Sequence, residues 1–186
     1  MVAIAIREEK TVTKDIAIAF GASLILALAS PFAIPLPFTP VPLVLQCQLV
    51  FFLGAFLGSK RAAIALLFFL IEGAMGYPVF AMGGSGIARL IGPSGGYLIG
   101  YLAAAYVVGF LEERSSKKGA ISLFNHMAIG NLIVYLCGAS YLATFVGIEK
   151  AILLGVAPFI LGDLLKLLCF TRLALFFRKE NSRYVL

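Results

Sequence analysis

Charge is what this sequence lacks most. Only 13% of its 186 residues are charged, against about 25% in a typical soluble domain. Hydrophobic residues make up 61%, and mean hydropathy is +1.02. So little polar material cannot cover a soluble globule of this size, and an integral membrane protein is expected. Histidine is nearly absent, with His126 alone. The three cysteines, Cys47, Cys137 and Cys169, each stand in an apolar run without a CxxC partner. No metal-ligand spacing results, and inert buried thiols are expected. No nucleophile–base set is visible, so no catalytic residue is assigned and an enzyme is not expected. No long polar linker divides the chain, which reads as one domain over residues 1–186.

What the chain has instead is hydrocarbon in long blocks. A bilayer core takes about 20 mostly apolar residues per helix. Six runs qualify, at about 16–34, 43–59, 62–78, 95–111, 120–145 and 149–177. They are continuously apolar rather than alternating, which argues against a β-barrel. The second and third runs are short, and the basic turn Ser59-Lys60-Arg61 joins them as a helical hairpin. The first 30 residues superficially resemble a signal peptide ending in ALAS (Ala27–Ser30). Their mixed charge (Arg7, Glu8, Glu9, Lys10, Lys14, Asp15) and the apolar runs that follow favour a first spanning helix.

Lysine and arginine fall unevenly on the two sides of six spans. One side holds eleven: Arg7, Lys10, Lys14, Lys60, Arg61, Arg114, Lys117, Lys118, Arg178, Lys179 and Arg183. The other holds Arg89 and Lys150, while Lys166 and Arg172 lie within the last run. The positive-inside rule then puts both termini in the cytoplasm of a multi-pass cell-membrane protein. That asymmetry accounts for the net charge of +6 without nucleic acid. The loop between spans three and four faces outward on this reading.

An ionisable residue at a helix centre costs about 2.5–3.5 kcal/mol on insertion scales. The last run nevertheless carries Asp163 and Lys166, three apart and so on one helix face. They fit either an internal ion pair that holds the bundle or a polar clamp for a solute inside it. Gly162 lets something approach the backbone beside them, and Pro158 can bend the helix above. Gln46, Gln48, Glu72 and Asn131 each fit an interhelical hydrogen bond and together fit the wall of a pocket. His126 reads as structural. Small residues recur every four positions at Ala19, Ser23 and Ala27, and at Gly92, Gly96, Gly100 and Ala104. Both stripes fit packing within the bundle; if the first faces lipid, it can dock a partner helix.

Residues 83–98, GGSGIARLIGPSGGYL, hold six glycines, a proline and one arginine. The dinucleotide fingerprint fails because Arg89 stands where GxGxxG needs glycine, and a P-loop fails for want of GK[ST]. Ile160-Leu161-Gly162-Asp163 offers no GxGD protease motif, and the only other aspartate, Asp15, is at the edge of the first run. A cap loop fits better. Glycine permits unusual backbone angles, and non-helical backbone at membrane depth must be buried or line a cavity. Ser94-Gly95-Gly96 opens a helix whose amides can face an anion. Arg89 can grip a carboxylate, while Tyr97 and Phe80 can cover an apolar body. The loop reads as a lid over a small, partly apolar, anionic solute.

PFTPVPLVLQ at 37–46, GGSGIARLIGPSGGYLIGY at 83–101, NLIVYLCG at 131–138 and GDLLK at 162–166 together resemble the BioY family. Its members are the biotin-specific substrate-capture (S) components of energy-coupling factor (ECF) transporters. The resemblance implies an all-α bundle of six transmembrane helices and a role in capturing biotin from outside for import. It implies that Asp163 and Lys166 engage the polar ureido end of biotin. Gly83, Gly84, Arg89 and Tyr97 would lie near the rest of the ligand, Arg89 at its carboxylate, with Asn131 and Gln46 as weaker carry-overs. Ser94 stands where the family often has threonine, keeping the hydroxyl. Implied partners are a membrane coupling subunit and two ATP-binding cassette ATPases, with Ala19, Ser23 and Ala27 a candidate docking face. Biotin would be cargo, not a cofactor. An S component for another vitamin and a stand-alone secondary transporter of a small organic anion are the rival readings. The latter would want inverted repeats or a proton relay, and neither is evident.

Overall fold

A computed structural model describes residues 2–116 and 119–183, with side chains over 12–116 and 119–177. Lys117 and Lys118, and the side chains of Arg7, Lys10, Arg178, Lys179 and Arg183, lie outside that description. Helix α1 runs Val2–Leu28, starting well before the expected run. It closes in tight turns (Ala29 N to Leu26 O, Ser30 N to Ala27 O) just ahead of Pro31. Residues 29–34, expected to be helical, instead enter a hairpin. Strand β1 (Ala33–Ile34) pairs antiparallel with β2 (Leu43–Val44). The pairing is two residues deep because Pro35, Pro37, Pro40 and Pro42 offer no N–H to extend it.

Helix α2 (Gln46–Leu57) and helix α3 (Ser59–Ala74) are separated by Gly58, whose φ of 81° makes the sharp turn. A 3-10 turn (Ala81–Gly83) and helix α4 (Ile87–Ile91) occupy the glycine-rich stretch. Then come α5 (Gly95–Arg114), α6 (Ala120–Val146) and α7 (Ile148–Gly155). A second 3-10 turn (Ala157–Phe159) leads into α8 (Ile160–Arg183). Among the described residues, three stretches are long and apolar enough to cross a membrane: Gly95–Arg114, Ala120–Val146 and the interrupted Ile148–Phe177.

Helix α2 is the hub. It touches α1, α3, α5, α6 and α8, and its Gln48, Val50 and Phe51 are wholly buried. Helix α5 packs most extensively on α6. A Cβ at Gly96 would overlap Tyr141 and the Cys137 carbonyl, and one at Gly100 would stand 3.1 Å from Cys137 Cβ. That glycine stripe therefore serves close helix packing.

Polar ties mark one end of the bundle. Asp15 pairs with Arg61 at 2.6 Å. Glu113 accepts from the Ser59 amide (2.7 Å) and hydroxyl (2.8 Å), capping α3. His126 and Glu112 meet at 2.7 Å, consistent with a structural histidine. At the opposite end, Ser30 organises the α3–α4 loop. Its hydroxyl donates to the Phe80 carbonyl and accepts from the Gly83 amide.

The stripe proposed as a docking face is turned inward. Ala19 and Ser23 are completely buried, and Ser23 Oγ donates to Glu72 Oε1 of α3 at 2.8 Å. Ala27 is half-buried. The residues are small because α3 lies against them. The outer face of α1 carries Ile16, Phe20, Leu24, Ile25 and Leu28 instead. Ala19→Trp is thus expected to destabilise the fold by at least about 1–3 kcal/mol through overpacking. Thermal unfolding in detergent checks this; a wild-type midpoint would mean that α1 stands off α3.

Cysteine burial also differs from expectation. Cys47 is buried, whereas Cys137 is half-buried and Cys169 exposed.

Candidate functional site

The break in the last apolar run shapes the hairpin end of the bundle. Pro158 has no N–H, so the Leu154 carbonyl loses its helical donor four residues on. Thr39 Oγ1, from the hairpin, donates to it at 2.7 Å. The amide of Phe159 turns to Val156 O (3.0 Å), which leaves the Gly155 carbonyl free. Tyr97 of α5 donates its hydroxyl there at 2.8 Å. A Cβ at position 155 would overlap that hydroxyl, so any larger residue there would have to displace Tyr97.

Beyond the break, α8 presents Asp163 and Lys166 inward. Lys166 Nζ meets Asp163 Oδ1 at 2.5 Å and donates to the Val44 carbonyl of β2 at 2.9 Å. Tyr135 of α6 donates to Asp163 Oδ2 at 2.5 Å, and Gln48 Nε2 reaches Oδ1 at 3.4 Å. Both carboxylate oxygens are engaged, and the aspartate is 6% exposed. The ion pair and the pocket wall were alternatives in the sequence. The geometry shows the ion pair, and the pair lines a cavity.

That cavity opens to the surface and encloses about 670 Å³ of atom-free space when its open mouth is counted. Val41, Pro42 and Val44 of the hairpin wall one side; Tyr97, Leu98 and Tyr101 of α5 wall another. Phe80, Val134 and Phe159 add apolar surface. Its floor is the start of α2, where Gln46 and Cys47 lie. At about 1.5 Å per residue, the 12 residues of α2 rise only about 18 Å. The short hub helix leaves the space that the cavity fills.

Arg89 of α4 lines the same cavity. Among the described residues its guanidinium has no hydrogen-bond or ion-pair partner. It lies over Gly84, where a Cβ would stand 2.7 Å from Arg89 Nε. Gly86 (φ 85°) starts α4 in a backbone conformation that glycine adopts freely.

The structure thus brings Asp163, Lys166, Arg89, Gln46 and Tyr97 to one cavity. Gln46 also has a structural task, since its amide donates to Leu26 O (2.9 Å) and Val79 O (2.8 Å). Asn131 is set one layer back, accepting from Cys47 Sγ at 3.8 Å. Gly83 and Gly84 do not line the cavity, and Gly84 acts through the space it leaves for Arg89. The amides expected to face an anion at the start of α5 are partly spent: Gly95 N on Gly92 O (2.8 Å) and Tyr97 N on Ser94 O (3.2 Å). Gly95 is small because Leu90 O abuts it.

Tyr135, Tyr101 and Thr39 escaped the sequence reading. Tyr135 had a signal, standing four residues after Asn131 on one face of α6.

The BioY family profile matches residues 5–183. This chain belongs to the BioY family. It is 38% identical over 148 residues to the biotin transporter BioY of Thermotoga maritima, covering 78% of this chain and 86% of that one. It is 38% identical over 164 residues to the biotin transporter BioY of Rhizobium etli, covering 83% and 87%. The fold matches the crystal structure of the S-component for biotin from an ECF-type ABC transporter, with a TM-score of 0.81 and 25% identity. That match covers 91% of this chain and 93% of the other. BioY proteins are transporter components and not enzymes. Every residue of the cavity lies inside the span matched to BioY.

Proposed function

We propose that this BioY chain captures biotin and delivers it across the cell membrane as the substrate-binding subunit of an ECF-type importer. The cavity carries the reading: an apolar chamber with a buried acid–lysine pair on one wall and, on another, an arginine with no partner among the described residues, in a BioY chain. Biotin has a ureido ring, an apolar middle and a carboxylate. Asp163 accepts from a ureido N–H and Lys166 donates to the ureido carbonyl. Tyr97, Phe80 and Val134 cover the apolar middle, and Arg89 holds the carboxylate. Gln46 and Asn131 support the floor beneath the ring, and Gly83 and Gly84 shape the rim that carries Arg89.

The whole chain acts as one domain of six membrane-spanning helices, the last made of α7 and α8. Both termini are cytoplasmic and the glycine-rich loop is outward. Arg61 and Arg114 gather at one end of the bundle, Arg89 and Lys150 at the cavity end, which supports this orientation. Energy comes from a membrane coupling subunit and its ATP-binding cassette ATPases.

Calorimetry on the purified chain tests the ligand. Biotin is expected to bind at one site per chain, and flavin and thiamin not to compete. A folded chain that ignores biotin but binds another vitamin would replace the ligand and leave the architecture. Uptake into vesicles without any ATPase would replace the importer reading with a stand-alone transporter.

A further inference from the structure

We infer that the seam between α6 and α8, at the end of the bundle far from the cavity, binds an anionic phospholipid, with Arg172 holding its phosphate. Between positions 167 and 177, Arg172 is the only charged side chain in LLCFTRLALFF. It is exposed on α8 and falls within the stretch Ile148–Phe177 that is apolar enough to cross a membrane. Among the described residues it has no hydrogen-bond or ion-pair partner. An arginine there must find an anion or reach the headgroup layer.

The surroundings supply the direction. Arg172 shares a groove with Ile121, Phe124, Leu168 and Leu175. Ile121 opens α6, so the guanidinium borders the same end as Asp15–Arg61 and His126–Glu112. Arg172 precedes Phe177 by five residues, about 7.5 Å along a helix, which an arginine side chain spans. A phosphate at the guanidinium places an acyl chain along Leu168 and Phe124. A neighbouring hollow shares Ala120 and Ile121 and is lined by Arg114, Ser115 and Asn125, so the headgroup side is polar and basic. A lipid satisfies the cation and the apolar groove together, whereas a free anion satisfies only the first. The inference goes beyond biotin capture and does not depend on the ligand.

Native mass spectrometry tests it, on the full chain released from micelles doped with equal phosphatidylglycerol and phosphatidylcholine. One retained phosphatidylglycerol is expected, favoured about fivefold, as one basic residue near an anionic surface gives. Arg172→Gln should abolish the preference and Arg172→Lys keep most of it, while Lys14→Gln, on α1 at the same end, changes nothing. An unchanged preference in Arg172→Gln overturns the site. Equal losses in Arg172→Gln and Lys14→Gln overturn it as general basicity. Unchanged lipid retention with lost co-purification of a coupling subunit assigns the groove to a protein and also overturns it. Biotin binding on the same samples reports folding, since Arg172 is remote from the cavity.

Discussion

Asp163→Asn is expected to weaken biotin binding by about 10- to 100-fold, the worth of one charge-assisted hydrogen bond at 1.5–3 kcal/mol. Two losses combine. The neutral amide is a poorer acceptor for a ureido N–H, and it presents an NH₂ group where two donors, Lys166 and Tyr135, already point. The Lys166 ammonium, 20% exposed, also loses its counter-charge. Removing one partner of a buried pair is costly because the other charge stays behind. Stability should therefore fall along with affinity. Calorimetry beside a thermal melt separates the two, and Asp163→Asn with undiminished affinity would remove Asp163 from the ligand's contacts. Lys166→Met, which also removes the tie to Val44, is the partner variant for a double-mutant cycle.

Arg89→Ala should discriminate between ligands. Among the described residues its guanidinium has no partner to strand, so the fold should tolerate the change. Biotin should lose about 10- to 100-fold in affinity if Arg89 grips its carboxylate. Biotin amide should lose less than about threefold, since it offers no negative charge. Equal losses for both ligands would reject the carboxylate assignment and make Arg89 a general wall of the cavity.

Much of this was legible from residue types. Asp163 and Lys166 stood out because charge in an apolar run is costly and a spacing of three puts both on one face. Arg89 stood out as the only charge in a glycine-rich loop. The roles that resisted reading depend on contacts distant in sequence. Thr39 sits among prolines, and nothing local says that its hydroxyl meets Leu154, 115 residues away. Asn131 looked equivalent to Gln46, yet Cys47 stands between it and the cavity. The small-residue stripe of α1 had the right spacing for a helix interface but not the identity of the helix, which proved to be α3. Gly95 and Gly96, after Ser94, looked like an anion cradle because absent side chains look alike whether they admit a ligand or a neighbouring carbonyl.

The proline break before α8 has a mechanical consequence. Among the described residues, Thr39 bonds the hairpin to that break at Leu154 O, and Lys166 bonds it to α8 at Val44 O. Both are side-chain bonds. Lifting the hairpin from the cavity would rupture these two and leave every backbone bond of α7 and α8 in place. Any movement at the mouth would therefore be separated from the integrity of the shaft: the helix is discontinuous beside the hairpin and continuous where it packs in the bundle.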